Sequence, residues 1–137
     1  MLIMGINEEK QLNFYKIIAV VLHLGNIKLT KDRNDQALLA NTVDIEKVCH
    51  LLEVPVDDFT RGLLKPKIKA GRDWVTQSKD VSQVQYSIGA FARAIYDRMF
   101  KYLITCVNKI LDKSNMNSAF IGVLDIAGFE IFEVHYI

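Results

Sequence analysis

Near the end of the chain, Val123–Phe132 reads VLDIAGFEIF. The run Phe120–Leu124 (FIGVL) that leads into it is too apolar for an edge strand and predicts a buried one. An acid, Asp125, ends the run, and Gly128 follows three residues later. Many α/β nucleotide-binding proteins present groups to a phosphate in this way, at the carboxyl end of a sheet. Asp125 suits a magnesium ion, directly or through water, and a glycine backbone at 128 can approach a phosphate oxygen with no side chain in the way. Taken alone, D-x-x-G is a weak signal that reads more readily as a strand followed by a simple turn.

The rest of the sequence narrows the choice. Its 137 residues suffice for one modest core, and half are hydrophobic, which excludes a disordered tail. Seventeen Lys plus Arg against 16 Asp plus Glu give no charge excess to draw the chain to nucleic acid or to an anionic membrane. Cys49 and Cys106 stand far apart without a CxxC spacing, so the expectation is neither zinc nor a disulfide but a reducing cytoplasm. His23, His50 and His135 are too scattered for a metal site or a triad. The apolar run Ile17–Leu24 is far short of the roughly 20 residues that span a bilayer, and the N-terminus lacks the basic start of a signal peptide.

Helical grammar dominates. Asn7 as N-cap, Glu8 and Glu9 at the positive end of the dipole, and Gly25-Asn26 as a stop predict a helix from about Glu8 to Leu24. Leu12, Tyr15, Ile18 and Leu22 form its stripe, which Ile17 and Val21 widen, so that the helix needs neighbours on several sides. Lys31–Asn41 reads as an exposed loop. A short helix begins near Val43 or Asp44, and another starts at Pro55 and ends by Gly62. In KPKIKAGRDWVTQ (Lys65–Gln77) the turn signal at Ala70-Gly71 predicts a small basic β-hairpin carrying Trp74. Asp80 or Ser82 can cap the longest helix, Val81–Leu111, whose apolar face is Tyr86, Phe91, Ile95, Met99, Leu103, Val107 and Leu111. No repeat, low-complexity segment or internal domain boundary interrupts the chain.

With its neighbours included, DIAGFEIFE (Asp125–Glu133) resembles the switch II segment of myosin motor domains. The resemblance extends to YKIIAVVLHLGNIKL (Tyr15–Leu29), GRDWVT (Gly71–Thr76) and VQYSIGAFARAIYDRMFKYLITCVNKIL (Val84–Leu111), nearest to the two-headed class II heavy chains. It implies an α/β, predominantly helical fragment of a P-loop NTPase-type motor domain, with one buried strand, one β-hairpin and one long helix. By the same resemblance Asp125 is the acid near magnesium, Gly128 the glycine whose amide senses the γ-phosphate, and Glu130 the acid that pairs with a switch I arginine and orders the attacking water. Ile126, Ala127 and Phe129 complete the loop. Such groups position water and stabilise charge on the transferred phosphoryl.

The hairpin Pro66–Gln77 matches the family's cardiomyopathy loop, which touches actin. Lys65, Lys67, Lys69 and Arg72 then face the acidic filament, and Trp74 anchors the hairpin or lies in the contact. Asp73 stands sixteen residues before Gly89, where the family places an acidic or phosphorylatable residue, so a fixed negative charge is present without a kinase. Read without the family, this segment is a solvated basic turn.

The departures carry their own implications. No GxxxxGK[ST] and no switch I sequence occur, so Glu130 lacks its arginine, and the isolated chain is expected neither to bind ATP and Mg²⁺ tightly nor to hydrolyse ATP. Val134–Ile137 depart from the family's continuation, and the chain reads as an internal fragment with an aberrant end. The implied partners are actin filaments and the remainder of the heavy chain, with light chains reached only through other regions, in the cytoplasmic actin cytoskeleton. Two alternatives differ in kind. A small GTPase would carry Gln where Phe129 stands and no thirty-residue helix before the motif; a non-enzymatic helical interaction module would use the hairpin and helices as a binding surface.

Overall fold

The computed structural model describes residues 1–2 and 5–111. The predicted strand Phe120–Leu124, the loop Asp125–Glu130 and His135 therefore lie outside the described residues. Four helices and two small antiparallel sheets follow in the order α1 (Glu8–Asn26), β1 (Leu29–Lys31), β2 (Ala37–Leu39), α2 (Val43–Leu52), α3 (Val56–Leu64), β3 (Lys67–Ala70), β4 (Asp73–Thr76) and α4 (Val81–Leu111). The described part is mostly helical, as the sequence predicts.

Local chemistry explains where the helices start. The Lys10 amide donates to Asn7 Oδ1 at 3.0 Å, which caps α1 with Glu8 and Glu9 in its first turn. Asp80 caps α4 reciprocally: the Gln83 amide donates to Asp80 Oδ1 at 2.8 Å, and the Asp80 amide donates to Gln83 Oε1 at 3.2 Å. Helix α2 closes on Glu53, whose left-handed φ of 58° turns the chain so that the Val54 amide reaches back to the Cys49 carbonyl at 3.0 Å.

Helices α1 and α4 lie antiparallel. Phe14 and Tyr102 meet with ring centroids 6.0 Å apart, and a Cβ on Gly5 would lie 3.2 Å from Ile110 Cδ1. At the opposite end Val20 and Leu24 join Val84 and Ile88 in one buried cluster. Helix α2 closes that cluster with Ile45, Val48 and Cys49, three positions on one face at helical spacing. Ala37 of β2 and Leu64 of α3 complete it. His23 in the last turn of α1 donates through Nδ1 to Asp44 Oδ1, 3.1 Å away in the first turn of α2; an ionised carboxylate only accepts, so the ring proton sits on Nδ1.

Five sequence expectations are corrected. Lys31–Asn41 is not an exposed loop but holds a second hairpin, with Leu29 opposite Leu39 and Lys31 opposite Ala37, and Ala37 is only 2% exposed. Asp32 makes the turn by accepting from the Asn34 and Gln36 amides at 2.8 and 2.9 Å, a local device that charge patterning hides. Helix α1 continues through Gly25 and Asn26, and α3 runs two residues past Gly62 because Leu64 is drawn into the core. In α1 the covered side is Phe14, Val20 and Leu24, whereas Leu12, Tyr15, Ile18 and Leu22 are exposed. In α4 the buried stripe opens with Val84 and Ile88 and continues through half-buried Ile95, Met99, Leu103 and Val107; Tyr86, Phe91 and Leu111 are exposed.

Burial sets the expected cost of mutation. Ile45, 1% exposed, should lose about 2–5 kcal/mol on replacement by Ala through transfer and cavity terms. Leu22, 65% exposed, should change by no more than about 0.5 kcal/mol. Urea unfolding of the 137-residue chain checks this contrast, and equal costs would contradict the packing.

Candidate functional site

The hairpin β3–β4 is the described part of the chain with the most distinctive surface chemistry. Gly71 and Arg72 make its two-residue turn, and of the two only Gly71 takes positive φ, 65°, the pattern of a type II′ turn. The register pairs Lys67 with Thr76, Ile68 with Val75, Lys69 with Trp74 and Ala70 with Asp73. Side chains directly opposite each other share a face and alternate along each strand. One face therefore carries Lys67, Lys69, Trp74 and Thr76, and the other Ile68, Val75, Ala70 and Asp73. This division separates Asp73 from the lysines with which sequence reading groups it.

All eight strand residues are exposed, and Trp74 is 68% exposed, so the indole does not anchor the hairpin on the helices. Among the described residues, Lys67, Lys69, Arg72 and Asp73 take part in no ion pair; the pairs that form are Lys16–Glu53, His23–Asp44, Lys31–Asp35, Asp58–Arg61 and Asp97–Lys101. Lys65, Lys67, Lys69 and Arg72 thus give the hairpin and its stem four cations against the single acid Asp73. Exposed cations without internal partners keep their full field for an external surface.

Other described features carry less chemistry. A groove of about 390 Å³ between α1 and α4, lined by Phe14, Ile17, Ile95, Met99 and Tyr102 with Lys10 and Arg98 at its edge, is apolar and lacks converging polar groups. Among the described residues no group of three or more His, Cys, Asp or Glu side chains could hold a metal ion. The magnesium expectation rests on Asp125, outside the described residues, as do the catalytic expectations for Gly128 and Glu130. No described helix is long and apolar enough to cross a membrane.

The sequence profile of the myosin head (motor domain) family matches residues 1–136. The chain belongs to that family. Among curated proteins it is similar to myosin type-2 heavy chain 1 of Schizosaccharomyces pombe, with 45% identity over 130 residues that make up 95% of this chain and 8% of that protein. The chain thus spans about a twelfth of the length of that myosin heavy chain. Within this myosin segment the described residues bring together the hairpin residues Lys67, Lys69 and Trp74.

Burial pushes the Cys49 thiol pKa up, since the thiolate would lose its hydration. Cys106 is half-buried. Thiol labelling of the native 137-residue chain at pH 8 should therefore reach Cys106 first, with Cys49 reacting only at higher pH or in urea. Faster labelling of Cys49 in the native chain would contradict its burial.

Proposed function

We propose that this chain is part of an actin-based motor that couples ATP hydrolysis to movement along filaments. Membership of the myosin head family over residues 1–136 is the observation that carries the reading, and the unpaired cationic hairpin supports it. On this reading residues 1–137 form one stretch of a P-loop NTPase-type motor domain without an internal boundary, in keeping with a core that joins Val20 to Ile88. Its partners are actin filaments and the remainder of the heavy chain, with light chains bound through other regions, and it works in the cytoplasmic actin cytoskeleton.

The mechanism divides between two sites. Lys67, Lys69 and Arg72 attract an acidic filament surface, which raises the encounter rate and orients the approach. Trp74, on the same face as Lys67 and Lys69, adds apolar contact area once water leaves, and Asp73 keeps a negative charge on the other face. In the proposed switch II loop Asp125–Glu130, Asp125 would be the residue to hold magnesium, Gly128 the one whose amide would sense the γ-phosphate, and Glu130 the acid that would pair with an arginine elsewhere in the heavy chain. When bound, ATP with Mg²⁺ supplies the phosphoryl group and the charge that these residues read. On this reading the loop would respond to loss of that phosphate, the local change that a motor would turn into movement.

Each site has its own test in a heavy chain carrying this segment. Reversal of Lys67, Lys69 and Arg72 to Glu should weaken filament cosedimentation and flatten its dependence on salt, because fewer screened attractions remain. Binding that is unchanged at every salt concentration removes the hairpin from the contact.

Gly128→Ala restricts the backbone where an amide must approach phosphate, and Glu130→Ala removes the latch. Both should leave nucleotide binding largely intact while slowing single-turnover hydrolysis by about 10²–10³-fold, the scale of losing one preorganised donor. Wild-type hydrolysis in both variants would reduce the loop to a corner.

A further inference from the structure

The orientation of the hairpin depends on its stems. Strands β3 and β4 pair with each other and are exposed along their whole length, so no packed face holds them at a fixed angle to the helices. A two-stranded hairpin is only marginally stable by itself. What fixes its direction must lie where the chain enters from α3 and leaves for α4.

On the exit side the bonds converge on one residue. The Gln77 amide donates to the Pro66 carbonyl at 3.0 Å and extends the ladder by one step. Lys79 then joins three other elements. Its amide donates to the Leu64 carbonyl at the end of α3 (3.0 Å), and its carbonyl accepts from the Ala37 amide of β2 (2.8 Å). Its Nζ donates to Ser87 Oγ in the second turn of α4 (2.8 Å), and Ser87 Oγ in turn donates to the Gln83 carbonyl (2.8 Å). Lys79 is half-buried, unlike the cations of the hairpin, and its long methylene stem carries a donor as far as that second turn. The Asp80–Gln83 cap follows at once and fixes the start of α4. Leu64 and Ala37, the backbone partners of Lys79, are themselves core residues, so this clamp refers the hairpin directly to the core.

We propose that Lys79, acting through Ser87, is a positioning residue for the hairpin: it sets the direction in which Lys67, Lys69 and Trp74 are presented, without touching the filament itself. The inference rests on the reading of the hairpin as the filament contact. A positioning residue and a contacting charge differ in their salt dependence. Loss of a contacting cation removes one screened attraction and flattens the slope of affinity against salt, whereas loss of the clamp weakens binding equally at every salt concentration.

The test uses a heavy chain carrying this segment, with Lys79→Met, Ser87→Ala, the double variant, Ser87→Thr and the charge reversal at Lys67 and Lys69. Lys79→Met and Ser87→Ala should each weaken filament binding by about 2- to 10-fold, the range for losing a single hydrogen bond. Their salt slopes should remain those of the wild type, and amide exchange across Lys67–Thr76 should quicken. The double variant should be no weaker than either single one, and Ser87→Thr, which keeps the hydroxyl, should restore binding. If charge reversal weakens binding but Lys79→Met leaves both affinity and exchange unchanged, the clamp is overturned and the hairpin reading survives. A flattened salt slope in Lys79→Met would make Lys79 a direct contact and also overturn the inference. Unchanged binding after charge reversal would remove the hairpin reading and this inference with it.

Discussion

The largest buried cluster of the described residues is one junction, where Val20 and Leu24 of α1, Ile45 and Val48 of α2, and Val84 and Ile88 of α4 exclude water together. Each fully buried aliphatic side chain is worth about 1.5–3 kcal/mol relative to exposure, so a handful of them at one point outweighs the surface ion pairs among the described residues. No helix here could supply that burial alone. The junction also recruits the short elements: Leu64 extends α3 and Ala37 ties down β2 because both reach the same apolar centre.

The candidate contact surface is built in the opposite way. The hairpin holds no core residue and leaves Ile68, Trp74 and Val75 in solvent beside three cations. Its charge costs little to maintain because it is hydrated, and the same hydration means that it contributes little to stability. Its placement depends on the hydrogen bonds at the stem, backbone ones and that from Lys79 to Ser87, while at its tip Gly71 adopts positive φ without a steric cost. Rigidity is thus concentrated where the hairpin meets the core, and the recognition chemistry lies beyond it.

Apolar surface remains outside the core as well. Leu12, Tyr15, Ile18 and Leu22 on α1, and Tyr96, Phe100 and Ile104 along α4, are exposed, and Tyr96 and Phe100 stack on each other at 6.1 Å. Surface of this kind is what larger assemblies cover, and the chain spans 8% of the length of its curated relative. The wide apolar circumference of α1 is visible in the sequence, but which side the chain itself covers is not. Helix turns that are apolar nearly all round, as the last turns of α1 are, offer more than one stripe, and only the positions of α2 and α4 choose among them.

Local rules were enough for much of this protein. Asn7 and Asp80 mark helix starts through side-chain oxygens that reach amides three residues on, Gly71 marks the hairpin turn, and the four-residue spacing of Val84 and Ile88 lies within a helix whose start the sequence places correctly. The family, too, was legible, since VLDIAGFEIF and the long-helix wording are specific enough to identify it, and the profile match over residues 1–136 agrees. Non-local facts were not legible: the β1–β2 pairing, the choice of Phe14, Val20 and Leu24 as the covered side of α1, and the Lys79–Ser87 clamp. The division of the hairpin into a face with Lys67, Lys69 and Trp74 and a face with Asp73 required the strand register. Sequence determines what each few residues prefer, because caps, turns and helical period act within a few positions; which of several apolar faces is buried, and what a side chain reaches across the fold, is decided only when distant segments compete for the same core.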